Sequence, residues 1–290
     1  MSVQTISIRV DHVGIIGTDL ARMTDTYKKL GFYTSPPSAM DAGVIGQSAP
    51  SWNTHYVFDR GYVELIASSG KDHLASYLDK YAGIHTLAVA TTNAETSRTQ
   101  LQEAKLDPQA VLHASRPAAH GELQGTASFR WFGFVQSSFP EGLVCYVEQL
   151  TPELIFQPKR HRHPNGANAL AEVFIYVPAE QMDEVVRRYA LLEKKEKNSA
   201  VGSSRPPFWC DKVTFLDEAG LQNRFPGEHI PKAARVIGML LEVEDLNVVQ
   251  QRLTANKVPH RQQDWDQHAE VWVDSASAEG CLIAFQASIQ

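Results

Sequence analysis

The chain repeats a strand–helix–strand pattern four times along its 290 residues, and a repeat of that size restricts the fold to stacked or paired copies of one unit. The first copy opens with the β-branched run Ile8 to Ile16, which ends at Asp19. A helical pattern follows through Met23, Tyr27 and Leu30, closed by Gly31. Its closing strand is Gly61-Tyr62-Val63-Glu64-Leu65-Ile66. The second copy opens with Gly83 to Ala90, has a capping residue at Asn93 and a helix from Ala94 to Lys105. It closes with Ser128 to Gly133 and, after the turn Pro140-Glu141-Gly142, with Leu143 to Glu148. Both read β-α-β-β-β.

Two further copies follow. Leu170 to Val177, Glu180 to Leu192 and Lys212 to Leu216 give strand, helix and strand. Arg235 to Val243, Leu246 to Ala255, His268 to Asp274 and Cys281 to Phe285 give the fourth set. Aligning the turns into the helices places Val173 and about Gly238 opposite His12.

His12 and His85 sit on opening strands, and Glu64 and Glu148 on closing strands. Imidazole nitrogens and carboxylate oxygens are the donor set that holds a divalent cation while leaving positions for substrate. The sequence therefore predicts one metal site made by His12, Glu64, His85 and Glu148. A carboxylate among the apolar neighbours of Glu64 is costly to bury unless it is paired or metal-bound. Strand alternation puts Tyr146 and Val144 on the face of Glu148, Tyr62 on that of Glu64, and Leu87 and Val89 on that of His85. Phe129, Trp131 and Gly133 alternate with Ser128, Arg130 and Phe132, so one face supplies an aromatic wall. Tyr62, Arg130 and Trp131 are the candidate substrate contacts. His55, His229, His260 and His268 lack matching positions and are assigned to structure or solvent.

Asp11-His12-Val13-Gly14-Ile15, the Gly61-Tyr62-Val63-Glu64-Leu65 strand and the Pro140-Glu141-Gly142 turn leading to Glu148 resemble the vicinal oxygen chelate superfamily. That superfamily includes glyoxalase I, extradiol dioxygenases and bleomycin-resistance proteins. Asn53-Thr54-His55 and His163-Pro164-Asn165-Gly166-Ala167 look more like its glyoxalase-like branch. The resemblance implies an α+β fold of four tandem βαβββ modules forming two curved-sheet, half-barrel lobes. The expected boundaries are a metal-binding lobe over 5–150, a linker over 151–167 and a second lobe without ligands over 168–290.

It also implies a cofactor, one divalent ion (Ni, Zn, Mn, Co or Fe), and a lyase or isomerase acting on a small carbonyl or hydroxylated compound chelated through oxygen. Glu148 is the expected base, Glu64 its competitor, and Tyr146 a donor to an oxyanion. Two alternatives stand beside this. An extradiol ring-cleaving dioxygenase would use His12, His85 and Glu148, but Ser128 to Glu148 lacks the His of that motif. A metal-free binding or resistance protein would have no use for four ligands.

Composition removes other classes. A net charge of −6 without a dense basic stripe disfavours nucleic acid. No apolar run reaches the roughly 18 residues of a membrane helix, and the start lacks a signal-peptide stretch. Cys145, Cys210 and Cys281 are too few and scattered for a disulfide framework. The expectation is a cytoplasmic protein with a small-molecule substrate and no nucleic-acid or membrane partner. A homodimer stays open. Lys159-Arg160-His161-Arg162-His163 reads as a solvated linker.

Overall fold

In the computed structural model, residues 3–44, 49–78, 80–119, 121–157, 162–193 and 208–288 are described. Strand β1 (Val3–Gly17) leads into helix α1 (Leu20–Lys29), whose N-terminus is capped by Asp19 accepting the Arg22 N–H. The rest of the first copy is β2 (Ser38–Met40), β3 (Ser51–Val57) and β4 (Tyr62–Ala67). The second is β5 (Ile84–Ala90), α2 (Ala94–Glu103), β6 (Leu112–Ala118), β7 (Gly125–Gly133) and β8 (Leu143–Gln149). Pairing gives the order β2-β3-β4-β1-β5-β8-β7-β6, with β4 parallel to β1, β8 parallel to β5, and β1 and β5 antiparallel at the centre.

The outer edges of this eight-strand array meet. Asp41 and Ser115 exchange backbone hydrogen bonds of 3.0 and 2.8 Å, which closes the curved sheet into a barrel. Closure needs strands that curl around an interior, and the interior is kept open by small residues: Ala88, Ala114, Ala118 and Ala127 all point inward. The alternate positions of β1, β5 and β8 (Val13, Leu87, Val144) face outward into a helix-covered core.

The second half comprises β9 (Ala167–Tyr176), α3 (Met182–Ala190), β10 (Cys210–Leu216), α4 (Glu218–Arg224), β11 (Arg235–Val243), α5 (Leu246–Ala255), β12 (Arg261–Trp265), β13 (His268–Val273) and β14 (Leu282–Ala287). Their order is β10-β9-β11-β14-β13-β12. Among the described residues, the third copy has one strand after its helix and then α4, in place of the three strands of the full repeat. Val173, aligned with His12 in sequence, lies in the outer core.

The α+β class and curved-sheet design agree with the sequence reading, but the halves are not two separate sheets. The N-terminal part of β1, from Val3 to Ser7, pairs antiparallel with Leu216 to Lys212, so one 14-stranded sheet runs through the molecule. One core serves both halves: Tyr27 of α1 donates to Ala278 O, and Tyr189 of α3 packs edge-on against Phe139. Gly83 and Gly280 approach so closely that a Cβ on Gly83 would stand 2.4 Å from Gly280 O. The stretch read as a linker is part of this junction. His163 is buried, accepts the Tyr33 N–H at 3.0 Å on Nδ1 and donates from Nε2 to Val57 O at 2.9 Å. Asn165 donates to Leu30 O. Lys159, Arg160 and His161 lie outside the described residues.

The concave face of the second half is filled by α4. Leu221 and Phe225 pack with Phe174 and Trp272, and Arg224 reaches Glu172 (3.2 and 3.3 Å) and Glu270 (2.8 Å). All three charged residues are buried. Removing one partner from a buried ion cluster leaves uncompensated charge. Arg224→Ala should therefore lower unfolding free energy by about 3–5 kcal/mol in urea titrations. A loss below ~1 kcal/mol would mean that the cluster is not what holds α4 in place.

Candidate active site

The turn Phe58 to Gly61 sets the β3–β4 register so that His55 stands opposite Glu64. Both are buried. Glu64 Oε1 accepts from Asn53 Nδ2 at 2.6 Å and from His55 Nε2 at 3.3 Å, while His55 Nδ1 faces Ser35 Oγ at 3.2 Å. Burial drives the His55 pKa down to about 3, helped by the charge of Arg116 and opposed by Glu64. Burial alone would raise Glu64, but the hydrogen bond and charge of His55, with His12 and Arg116 behind them, bring it down to about 2.

His12 comes from β1, at a bulge where Val10 pairs with Val89 and His12 with Ala88. The extra residue is Asp11. Its Oδ1 meets His12 Nδ1 at 2.7 Å, and its carboxylate also accepts Gln149 Nε2 at 3.1 and 3.3 Å. The His12 ring stacks on Tyr62, centroids 4.3 Å apart. With Nδ1 held by Asp11 and the ring clamped, Nε2 is the free edge, 3.8 Å from Glu64 Oε2.

Of these groups His12, Tyr62 and Glu64 border a cavity of about 650 Å³, counting its open mouth, inside the barrel. Its wall is mostly apolar, with Met40, Ile66, Phe129, Trp131, Leu143 and Val147, and its polar edge includes His12, Glu64, His73 and Thr86. The Thr86 hydroxyl and His73 Nδ1 are buried without a hydrogen-bond partner, and burial lowers the His73 pKa. Buried polar atoms are ordinarily paired, so atoms left unpaired at a cavity wall are places for a ligand to bond. Arg116, 3% exposed, lies on β6 two residues beyond the cavity residue Ala114, and its cation sits over the Phe129 ring at 5.8 Å.

Of the sequence-predicted residues, His12, Glu64, Tyr62 and Trp131 are at the cavity. His85, Glu148, Tyr146 and Arg130 are not among its lining residues. On β8 the inward residues are Leu143, Cys145 and Val147, so Glu148 and Tyr146 point the other way. Glu148 accepts the Ala94 N–H at 2.9 Å, at the N-terminus of α2, and pairs with Arg130 at 2.7 Å. It is a helix cap with a salt bridge, and the Arg130 guanidinium is its partner. Tyr146 stacks on Phe132 and donates to Leu192 O. His85 falls in a second register shift, where Gly14 pairs with Thr86 and Ile15 with Ile84. Thr86 takes the inward position. His85 stacks on Tyr81 at 4.3 Å and hydrogen-bonds Gly83 O, with burial lowering its pKa to about 4.

The four predicted ligands therefore do not converge. Among the described residues no three His, Cys, Asp or Glu side chains are gathered as a cage for a metal ion, and one oxygen of Glu64 is already taken by Asn53. The donor set does not fit the expected four-ligand ion.

Sequence reasoning missed Asp11, His55, Thr86 and Arg116. Two signals were available. A turn at Asp59-Arg60-Gly61 puts His55 across from Glu64 by simple counting, and Ala114-Ser115-Arg116-Pro117-Ala118 alternates small and charged residues toward one face.

Residues 10–192 match the family described as a glyoxalase-like domain. The chain belongs to that family. It is thereby a member of the vicinal oxygen chelate superfamily. No curated protein matches. Among solved structures, similar chains include a hypothetical protein from Staphylococcus aureus (TM-score 0.58, 9% identity, 97% of this chain and 100% of that one). A mutant of 4-hydroxymandelate synthase from Streptomyces coelicolor has a TM-score of 0.56 and 12% identity, over 97% of this chain and 93% of that one. A fusion of a xylose isomerase-like TIM barrel with 4-hydroxyphenylpyruvate dioxygenase has a TM-score of 0.55 and 12% identity, over 97% of this chain and 49% of that one. At these identities the likeness shows the fold. Family and neighbours agree on the fold of this superfamily. No helix among the described residues is long and apolar enough to cross a membrane.

Two outcomes follow from the geometry. Glu148→Gln should cost about 1.5–3 kcal/mol of stability, the range for a charged hydrogen bond. Together with His85→Ala it should leave the metal content of the purified protein at the wild-type level. Metal lost specifically in these variants would restore the four-ligand site. The second outcome concerns pH. His55 is held neutral below its ordinary 6.5 and Glu64 ionised below its ordinary 4.5, so the unfolded chain binds more protons than the folded one beneath those values. The His55 contribution is full above about pH 6.5 and is lost as pH falls toward 3, and that of Glu64 is full above about 4.5 and is lost as pH falls toward 2. A urea midpoint that drops over this window, and drops less steeply in His55→Gln, is the expected result.

Proposed function

We propose that the barrel cavity is the active site of a proton-transfer enzyme, an isomerase or lyase of the glyoxalase type acting on a small carbonyl or hydroxylated compound. The observation that carries this is the Asp11–His12 pair: Nδ1 bonded to a buried carboxylate and Nε2 free at the cavity wall.

A carbon acid next to a carbonyl gives up its proton only if a base is positioned and the developing oxyanion is stabilised. His12 Nε2 takes the proton in this reading. Asp11 at Nδ1 and Glu64 beyond Nε2 stabilise the imidazolium that forms, and Gln149 keeps Asp11 in place. The unpartnered Thr86 hydroxyl faces the same space and is available to donate to the substrate oxygen. The apolar wall keeps water from competing for it. His12 then returns the proton to a neighbouring carbon, or to a leaving group. The base thus moves from Glu148, the candidate from sequence, to His12. Of the expected ion's donors only His12 and Glu64 are at the cavity.

The test is solvent exchange of carbon-bound protons, read by NMR in D2O over small α-hydroxy carbonyl compounds such as glycolaldehyde and dihydroxyacetone. His12→Gln should slow exchange by about 10²–10⁴, the usual worth of a positioned acid–base group, with its melting temperature near that of wild type. Exchange at the wild-type rate in that variant would remove His12 from the chemistry. Oxygen uptake with catechols by the wild-type protein would put ring cleavage in place of proton transfer.

A further inference from the structure

Arg116 presents a physical problem that the proton-transfer reading leaves unsolved. It is 3% exposed, its Nε is buried without a partner, and its guanidinium has no hydrogen bond or ion pair with any described residue. Burial lowers its pKa, with Tyr62 and Glu64 opposing the shift. Arg224, also 3% exposed, makes three contacts with two carboxylates. A buried charge needs a counter-charge and hydrogen bonds to offset its lost hydration. The second half supplies both by direct contact, whereas in the barrel the charge of Glu64 reaches Arg116 without a hydrogen bond or ion pair.

The surroundings of Arg116 indicate where its partner comes from. Ala114, on the same strand and face, lines the cavity, and so does Phe129 beneath the guanidinium. Glu64 shares this interior, but its Oε1 is occupied by Asn53 and His55 and its Oε2 lies toward His12. The missing anion therefore enters with the ligand. Arg116 is not itself among the lining residues and stands just behind the wall that Ala114 and Phe129 form. A single cation there, with Glu64 already acting on it, suits one negative charge better than the two of a phosphate.

We propose that Arg116 anchors a carboxylate of the substrate through its planar fork of N–H donors, so that the enzyme's substrates are small, partly apolar carbonyl acids. The inference rests on the cavity being the active site as proposed above and narrows its substrate class. Arg116 sets which molecules are held, while His12 acts on them.

The probes are benzoate and benzamide, nearly equal in shape and different in charge, titrated into the full chain by calorimetry. Benzoate should bind about tenfold or more tightly than benzamide. Arg116→Met should remove that advantage and leave benzamide unchanged, and Arg116→Lys, which keeps charge but not the fork, should fall between. Arg116→Met should also melt no lower than wild type, because an unpaired buried charge has been removed. Benzoate bound no better than benzamide by the wild-type protein overturns the proposal, whether or not the Met variant folds. So does benzoate affinity unchanged in Arg116→Met. His12→Gln should still bind benzoate, so a failure of the proton-transfer reading would show as lost exchange chemistry with the anion preference intact.

Discussion

Strand β1 is the member on which the rest depends, because its backbone is bonded along both edges to three different partners. Its N-terminal part pairs with β10, and its C-terminal part lies between β4 and β5. Unpaired strand edges are costly to bury, and a 15-residue strand that changes partners part-way satisfies its polar groups while joining the halves. The change of partner coincides with the bulge at Asp11. There the ladder loses step by one residue, and the protein uses the irregularity to bring a carboxylate and an imidazole from adjacent positions into one interior. The feature that connects the fold is also the feature that builds the site.

The repeat, the helices and the strands were legible because each rests on local periodicity and capping: Asp19, Asn93 and Asp245 all accept backbone N–H groups at helix starts. Which face each strand turns inward was less legible. Parity along β7 could be read, and Phe129 and Trp131 do share the cavity wall. On β8 the pattern Leu-Val-Cys-Tyr-Val-Glu has apolar residues on both faces, so nothing local distinguishes an inward Glu148 from an inward Val147. The answer lies 54 residues away, in the free N–H of Ala94 at the start of α2. His85 failed for a related reason, since a register shift exchanged it with Thr86 at the inward position. Ligand-type residues at matching points of a repeat are evidence of a shared site only if every strand keeps step.

The two halves also show how one architecture gives different outcomes. Each begins as a curved sheet with a concave face that cannot be left bare. In the second half α4 fills it, and a buried arginine with two carboxylates locks the plug in place. In the first half small residues line the interior, the edges meet at Asp41 and Ser115, and the concavity stays open. The cost of keeping it open is visible in the unpaired atoms of Thr86, His73 and Arg116.

The polar groups inside the barrel are also ordered relative to one another. Gln149 holds Asp11, Asp11 holds His12, Tyr62 clamps the ring, and Glu64 is pinned by Asn53 and His55. Each link comes from a different strand: β8, β1, β4 and β3. A group fixed from several directions loses little entropy when a ligand arrives, which suits the proton-transfer reading proposed above. The arrangement also explains why Glu64 is poorly suited to be the base. An ionised carboxylate whose pKa is held near 2, with its hydrogen bonds already made, has little affinity for a proton, whereas the imidazole beside it has one nitrogen committed and one free.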